Sequence, residues 1–383
     1  MDVAVILTYR CNSRCSMCHV WQNPSLPEEE VSLRTLDKIP AGIDYLNLTG
    51  GEPTLRSDLM EVVDLLYPRA MQLEISSNGL HCERLEPVVR KYPDVKIRLS
   101  LEGFEETNQR IRGEKDGFRR KVDGLLRLRE LGGKDLGLAV TIQDGNAAEL
   151  VELFRFAHSQ GLELATSTLH NGFQFHKNDN AVYERLQVAR QIEGLVTEML
   201  RAREVKNWFR AYLNLGLIAR VLGQKRLLPC TAGTDFLFVD PWGDTFACNV
   251  RPDLKLGSLD RQSWDEIVTG PAASRVREAV ASCSQNCWMV GSAKTAMRHP
   301  RFARIPRAAP LRWVVENKLR VSMGRRVRFE RYVDYSRAEG EVARPRPVPP
   351  PGGGSGEATG AVRRQVQSKD DPHYVQSGGF FNA

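Results

Sequence analysis

The sequence predicts an α/β protein built on a parallel sheet, and three observations predict it. Six short β-prone runs alternate with helical patterns over residues 1–170, the arrangement of repeated βα units. Glycine-rich and polar segments cluster at the C-terminal ends of those runs, where parallel α/β folds assemble their sites. A cysteine-bearing hairpin pattern begins only after residue 230, as a separate, smaller module.

The strands are expected at Val3–Thr8, Tyr45–Thr49, Gln72–Ser76, Lys96–Leu101, Leu136–Thr141 and Leu162–Ser167. Helical patterns fall between them near 33–38, 57–67, 83–91, 115–131 and 147–160. Residues 181–222 read as helices of mixed charge. From Phe236 to Cys248 two apolar runs flank a turn holding Pro241 and Gly243, a hairpin signal. Ser263–Val268 and Ala272–Val280 read as short helices. The Pro- and Gly-rich run Arg344–Gly356 cannot bury a core and is expected to be a disordered linker. This divides the chain into a core (1–180), a helical connector (181–225), a cysteine-rich module (226–297), a basic helical segment (298–337) and a disordered tail (338–383).

The 383 residues are 42% hydrophobic and 26% charged, an ordinary globular composition. No signal peptide opens the chain, and no apolar run approaches the roughly 20 residues of a membrane span. The expected location is the cytoplasm, where thiols stay reduced and disulfides are not expected. The net charge of +7 is local: residues 298–331 hold eleven Lys and Arg against Glu316 and Glu330, which leaves the remainder slightly acidic.

Cys11, Cys15 and Cys18, spaced C-x3-C-x2-C, follow the first strand. A [4Fe–4S] cluster normally takes four cysteines. Three leave one iron open to bind a small molecule and act on it. Zinc is the alternative, with His19 as a fourth ligand. The run Cys11-Asn12-Ser13-Arg14-Cys15-Ser16-Met17-Cys18 resembles the signature of the radical S-adenosylmethionine (SAM) enzymes. Thr49-Gly50-Gly51-Glu52-Pro53, Ser76-Ser77-Asn78-Gly79, Ser100-Leu101-Glu102-Gly103 and Arg110-Ile111-Arg112-Gly113 follow in the family's order at successive strand ends. These later motifs weigh against zinc, because a second motif in its proper context is needed for one reading only.

The resemblance implies a partial (β/α)6 TIM-like barrel. It also implies that SAM chelates the open iron and is cleaved reductively to a 5′-deoxyadenosyl radical, which takes a hydrogen atom from the substrate. Carried over by motif, Gly50, Gly51, Glu52 and Pro53 would cradle the methionine amine. Ser76 and Asn78 would contact SAM, Ser100 and Glu102 its ribose, and Arg112 its carboxylate, for which a guanidinium is suited. Met17 would pack against the adenine.

Of the other five cysteines, Cys82 stands alone, and Cys230, Cys248, Cys283 and Cys287 make a possible complete ligand set. Cys230-x12-Gly243-x4-Cys248 resembles the auxiliary-cluster modules called SPASM and twitch. The closing C-x3-C departs from the simplest twitch pattern, and the seven cysteines of a full SPASM set are not present. An auxiliary [4Fe–4S] cluster is the first reading of this set and zinc the second.

The loop from His170 to Asn180 should cover the barrel mouth, with His170, Asn171, His176 and Lys177 as candidate substrate contacts. No leader-gripping domain precedes the first strand. That points to a small-molecule, carbohydrate or lipid-linked substrate, with peptide modification, or a non-catalytic cluster or zinc protein on the same fold, as alternatives. A reducing donor such as flavodoxin or ferredoxin is implied. In the basic segment Leu311, Val314, Val315, Lys318, Leu319 and Ser322 share a helical face beside Trp313. That face suits either packing on the barrel or peripheral membrane contact through 298–331. Nucleic acid is not the expected partner.

Overall fold

The computed structural model describes residues 1–299 and 309–339. Arg301, Arg304 and Arg307 of the basic segment, and the linker and tail from residue 340, lie outside the described residues. Strands β1 (Asp2–Ile6), β2 (Tyr45–Thr49), β3 (Leu73–Ser77), β4 (Lys96–Ser100), β5 (Asp135–Ile142) and β6 (Glu163–Thr168) match the six expected strands to within two residues. They pair in sequential order, all parallel. Helices α1 (Leu33–Leu36), α2 (Leu59–Leu66), α3 (Glu86–Lys91), α4 (Glu105–Arg112), α5 (Gly117–Glu130) and α6 (Leu150–Ser159) fill the connections. The sheet side of the core, with Leu46, Leu48, Ile75, Ile97, Leu99 and Leu138, is closed to solvent. This is the partial barrel that the resemblance implies.

Two helices stand where one was expected between β4 and β5. Glu105–Arg112 contains a single aliphatic residue, Ile111, so it carries no apolar period to read. Gly113 ends α4 in the left-handed region, at φ +67°, a conformation glycine adopts freely.

The second module joins the same sheet. β7 (Phe236–Val239) lies parallel to β1 in the register Asp2↔Phe236 to Val5↔Val239. β8 (Asp244–Phe246) and β9 (Lys255–Ser258) follow antiparallel. The connector is two helices, α7 (Arg185–Arg201) and α8 (Val205–Val221). α9 (Trp264–Thr269) begins at a capping box between Ser263 and Glu266, and α10 (Pro271–Ala281) follows it.

α11 (Val290–Arg298) was not expected. Its buried face is made of Ser292, Ala293, Thr295 and Ala296, too small and polar to give a period. It packs against β1 and β7. Arg298 donates to both Asp2 oxygens at 2.6 Å, at the N-terminal end of the barrel. Other charges gather at that end: Arg98, 3% exposed, bonds Asp135 and Glu163, and Glu163 also takes Lys206 and Arg210. The opposite, C-terminal end is left for the site.

α12 (Pro310–Ser322) divides the face expected of it. Val314 is buried with Trp313 and Asn317, and Lys318 donates to Leu200 O at 2.8 Å and Ala202 O at 3.0 Å. Leu311, Val315 and Leu319 face outward. Among the described residues no helix is long and apolar enough to cross a membrane.

The β7–β8 turn carries a pH-sensitive group. Asp240, 4% exposed, accepts from the backbone N–H of Trp242 at 3.0 Å and of Asp244 at 2.9 Å. Burial, with Asp244 adding to it, pushes its carboxyl up to about 7. Between about pH 4 and 7 the folded chain therefore holds a proton that the unfolded chain has released, so this group favours folding more as pH falls. Asp240→Asn keeps the acceptor oxygen and removes the titration. Urea midpoints should lose their Asp240-dependent fall between pH 5 and pH 7 in the variant, a difference on the order of a few kcal/mol.

Candidate active site

The three-cysteine loop leaves the C-terminal end of β1 and is clamped on two sides. On the β2 side Gly51 N donates to Thr8 O at 2.7 Å and Glu52 N to Arg10 O at 2.8 Å. A Cβ on Gly50, at φ +154°, would lie 2.5 Å from Thr8 O, and one on Gly51 would run into Arg10 O. The two glycines are thus required for close approach to the chain's own loop. Pro53 begins a short 3-10 turn, Pro53–Leu55. Glu52 is fully buried and accepts from Thr54 N (3.0 Å), Thr54 Oγ1 (2.7 Å), Ser77 Oγ (2.8 Å) and Asn78 N (2.6 Å). Its carboxylate ties the end of β2 to the end of β3.

On the other side the loop rests on the end of α4. Arg14 N and Ser16 N donate to Arg112 O (3.2 Å) and Ile111 O (2.8 Å). Beneath lies a chain of buried ions. Lys121 and the Ser13 hydroxyl both donate to Glu114. Arg112 Nε donates to Glu114 Oε1 at 3.2 Å, and Arg112 Nη1 to Glu102 Oε1 at 3.0 Å. Glu102 Oε2 accepts from Thr141 N at 2.7 Å. All four ionic side chains are less than a tenth exposed. Burial lowers Lys121 to about 8, with Arg112 acting the same way and Glu114 opposing. Burial raises Glu102, against the pull of Arg112.

Two expectations shift as a result. Glu102 is turned into the protein and bonded to Arg112 and Thr141 rather than open for a ribose. Arg112 has its Nε and Nη1 engaged by carboxylates, and burial raises the Cys15 thiol against the opposing pull of Arg112. Ser100 is half-buried at the end of β4 with no side-chain hydrogen bond among the described residues. Ser76 donates to Asn47 Oδ1 at 3.1 Å. Asn78 reaches the loop itself: Nδ2 is 2.6 Å from Asn12 Oδ1 and 4.0 Å from Cys11 Sγ. Met17 is half-buried, and its carbonyl accepts from Asn180 Nδ2 at 3.0 Å.

Burial pushes the thiol of Cys11 up to about 11 and that of Cys18 up to about 12, and neighbouring cysteines of the loop add to both. A metal that takes them must displace those protons. Among the described residues no three His, Cys, Asp or Glu side chains converge on a single ion. The donors of both sets are all thiols, which an iron–sulfur cluster takes on separate irons.

In the second set Cys230, Cys248 and Cys287 sense one another's charge, and burial raises Cys248 to about 11. Cys283 is partnered by Arg251. Arg226 Nη1 donates to Cys287 O at 2.8 Å and lies 3.7 Å from its Sγ. Arg220 Nη1 donates to Asn286 O at 2.8 Å. Sequence reading missed these arginines, since each approaches the cysteines from a distant segment. Gly243, at φ +80°, makes the hairpin turn as expected.

An apolar, largely aromatic wall backs the first set. Ile6, Tyr9, Val20, Phe236, Phe238 and Phe246 form a buried cluster, with Cys11, Cys18, Phe173 and Trp242 packed on it. Across this wall runs the loop after β6. His19 N donates to Phe175 O at 2.8 Å, and a Cβ on Gly172 would lie 2.9 Å from Asn249 O. Asn171 closes the loop by pairing both ways with the backbone of Asn180, so its side chain is structural. Lys177 is paired with Asp179 at 2.7 Å. His170 Nε2, Gln174 Oε1, His176 Nε2 and Asn249 Oδ1 are buried without a partner.

Residues 5–157 match the family model of the Radical SAM superfamily, and residues 230–288 match that of SPASM, an iron-sulfur cluster-binding domain. A probable GTP 3′,8-cyclase of Sulfurisphaera tokodaii is 26% identical over 274 residues, 68% of this chain and 84% of that one. The mycofactocin maturase MftC of Mycolicibacterium smegmatis is 30% identical over 254 residues, 63% of this chain and 62% of that one. The match thus spans less than two thirds of the maturase. Structures of Streptococcus suis SuiB bound to S-adenosylmethionine and bound to precursor peptide SuiA share the fold, at TM-scores of 0.54 and 0.53 and 15% identity. Both cover 72% of this chain, and 67% and 66% of SuiB.

Two substitutions test this construction. Gly51→Ala should force the loop base off β2, and anaerobically reconstituted protein should lose iron from the first site while the second keeps its share. Lys121→Met should leave Glu114 under-compensated in the interior and lower stability by ~3–5 kcal/mol. Lys121→Met with Glu114→Gln should recover part of that loss in thermal unfolding.

Proposed function

The chain belongs to the radical SAM superfamily and carries a SPASM iron–sulfur module, and from that premise we propose that this enzyme modifies a peptide by opening one of its C–H bonds. When bound, the [4Fe–4S] cluster and SAM supply a 5′-deoxyadenosyl radical strong enough for an unactivated C–H bond. Cys11, Cys15 and Cys18 would hold the cluster, and Cys230, Cys248, Cys283 and Cys287 an auxiliary one. Asn78 and Ser100 offer polar groups beside the loop, while Glu52 and Arg112 act as positioning residues.

The observation that carries the substrate reading is the character of the mouth. Three of its cations are already committed, Arg10 to Glu30, Arg112 to Glu102 and Glu114, and Lys177 to Asp179, and Arg14 lies over the Trp21 ring. What remains is an aromatic wall, with buried amide and imidazole atoms that lack partners. Such a lining suits side chains and amides of a peptide better than the triphosphate that a GTP cyclase must meet. The maturase relative and the peptide-bound SuiB fold support the same reading. The expectation of a small-molecule, carbohydrate or lipid-linked substrate rested on what precedes β1, not on the mouth, and gives way to this one. Flavodoxin or ferredoxin in the cytoplasm is the fitting donor class.

Anaerobically reconstituted enzyme with dithionite and SAM should release 5′-deoxyadenosine, and Cys15→Ala should abolish it. Short peptides encoded beside the gene should raise that release and, when deuterated, pass label into 5′-deoxyadenosine. Stimulation by GTP and by no peptide would overturn the peptide reading.

A further inference from the structure

We propose that α12 docks the protein on an anionic membrane surface, seating an apolar stripe among the lipid headgroups while flanking arginines meet the phosphates. The inner face of the helix is spent: Trp313, Val314 and Asn317 are buried against α7 and α8. Its outer face presents Leu311, Val315, Leu319 and Met323, which are 64%, 51%, 57% and 59% exposed. They recur every fourth residue, one above the next along the helix. Among the described residues, ten large apolar side chains are exposed, and four of them stand in this line.

The charge around the stripe is equally one-sided. Residues 310–331 carry seven Lys and Arg against Glu316 and Glu330. Those two carboxylates are taken by Arg331, at 3.4 Å, and Arg326, at 3.7 Å. Arg312, Arg320 and Arg325 have no carboxylate partner among the described residues. Arg312 and Arg325 are exposed beside the stripe. An amphipathic helix with an apolar line and a basic border is the form that lies in a bilayer interface, and its attraction grows with anionic lipid.

Charge decides between occupants. A second copy docked through the same face would set arginines against arginines. The chain's own residues 342–383 hold five Lys and Arg against three acids, so they offer no complement. Nucleic acid would use the arginines but leave four apolar side chains against phosphate. An anionic bilayer satisfies both the stripe and its border. A single such helix gives reversible, salt-sensitive attachment rather than permanent anchoring.

The test is co-sedimentation of the full chain with vesicles of phosphatidylcholine alone, and of phosphatidylcholine with phosphatidylglycerol. The unaltered protein should bind the mixed vesicles, leave the neutral ones, and be released by high salt. Leu311→Ser with Leu319→Ser, and separately Arg325→Gln with Arg326→Gln, should each weaken binding roughly tenfold or more. All four positions are exposed, so thermal unfolding and 5′-deoxyadenosine release should not change. Equal binding to both vesicle types, or none, overturns the proposal without recourse to any variant. So does an apolar-stripe variant that binds like the parent, or one whose only effect is to dissolve a dimer in sedimentation velocity.

Discussion

Everything in the site depends on β1 being hydrogen-bonded along both edges. β2 holds one edge from Asp2 to Ile6, and β7 holds the other from Asp2 to Val5. A parallel strand buried between two neighbours has no freedom to slip, because a one-residue shift would turn its buried side chains to the wrong face. The loop with Cys11, Cys15 and Cys18 starts from that fixed end. The same pairing brings the hairpin with Cys248 to the other side of the loop, so the two cysteine sets are placed by one strand.

Rigidity at the base is continued by charge above it. The chain Lys121–Glu114–Arg112–Glu102 contains two cations and two carboxylates, so it is neutral as a whole. Ions taken out of water are costly unless their partners and hydrogen bonds are complete. Here Ser13 and Thr141 supply bonds that the ions do not. Ser13 is itself part of the cysteine loop, so the ionic chain cannot move without moving that loop. Glu52 does the same work between β2 and β3 with hydrogen bonds alone. Two of the motif residues are thereby bonded to other residues of the protein, while Ser100 has no side-chain hydrogen bond among the described residues and Asn78 contacts the cysteine loop.

What could be read from sequence follows from the range of the interactions. The parallel strands were legible because most of them alternate apolar and polar residues over a short run, as in Tyr45–Thr49 and Leu73–Ser77. The cysteine loop and the hairpin turn at Gly243 were legible because they are local patterns. α4 and α11 escaped because their buried faces are polar or small, and β9 because Lys255–Ser258 is too short to show alternation. Within the site, the missing side chains of Gly50 and Gly51 admit the backbone of Thr8 and Arg10, a contact about forty residues away in sequence and invisible in the motif. Ser77 was passed over for Ser76, yet strand alternation aims Ser77 at Glu52 and Ser76 at Asn47. Arg226 and Arg251 could not be found at all without the fold.

The loop after β6 ties these parts into one unit. It bonds the first cysteine loop through His19 and Met17 and touches the second module at Asn249. Its ring contacts run the same way: His176 lies 5.2 Å from Tyr9, and Phe173 lies 5.0 Å from Phe246. His176 holds a left-handed backbone, at φ +50°, which costs energy in a residue other than glycine and persists only where its surroundings demand it. Burial also lowers His170 to about 4, so that imidazole is neutral across the working range and can present Nε2 without charge. Because the loop is bonded to the first cysteine segment and touches the second module beside Cys248, its strained turn and buried polar atoms are held in place from both sides.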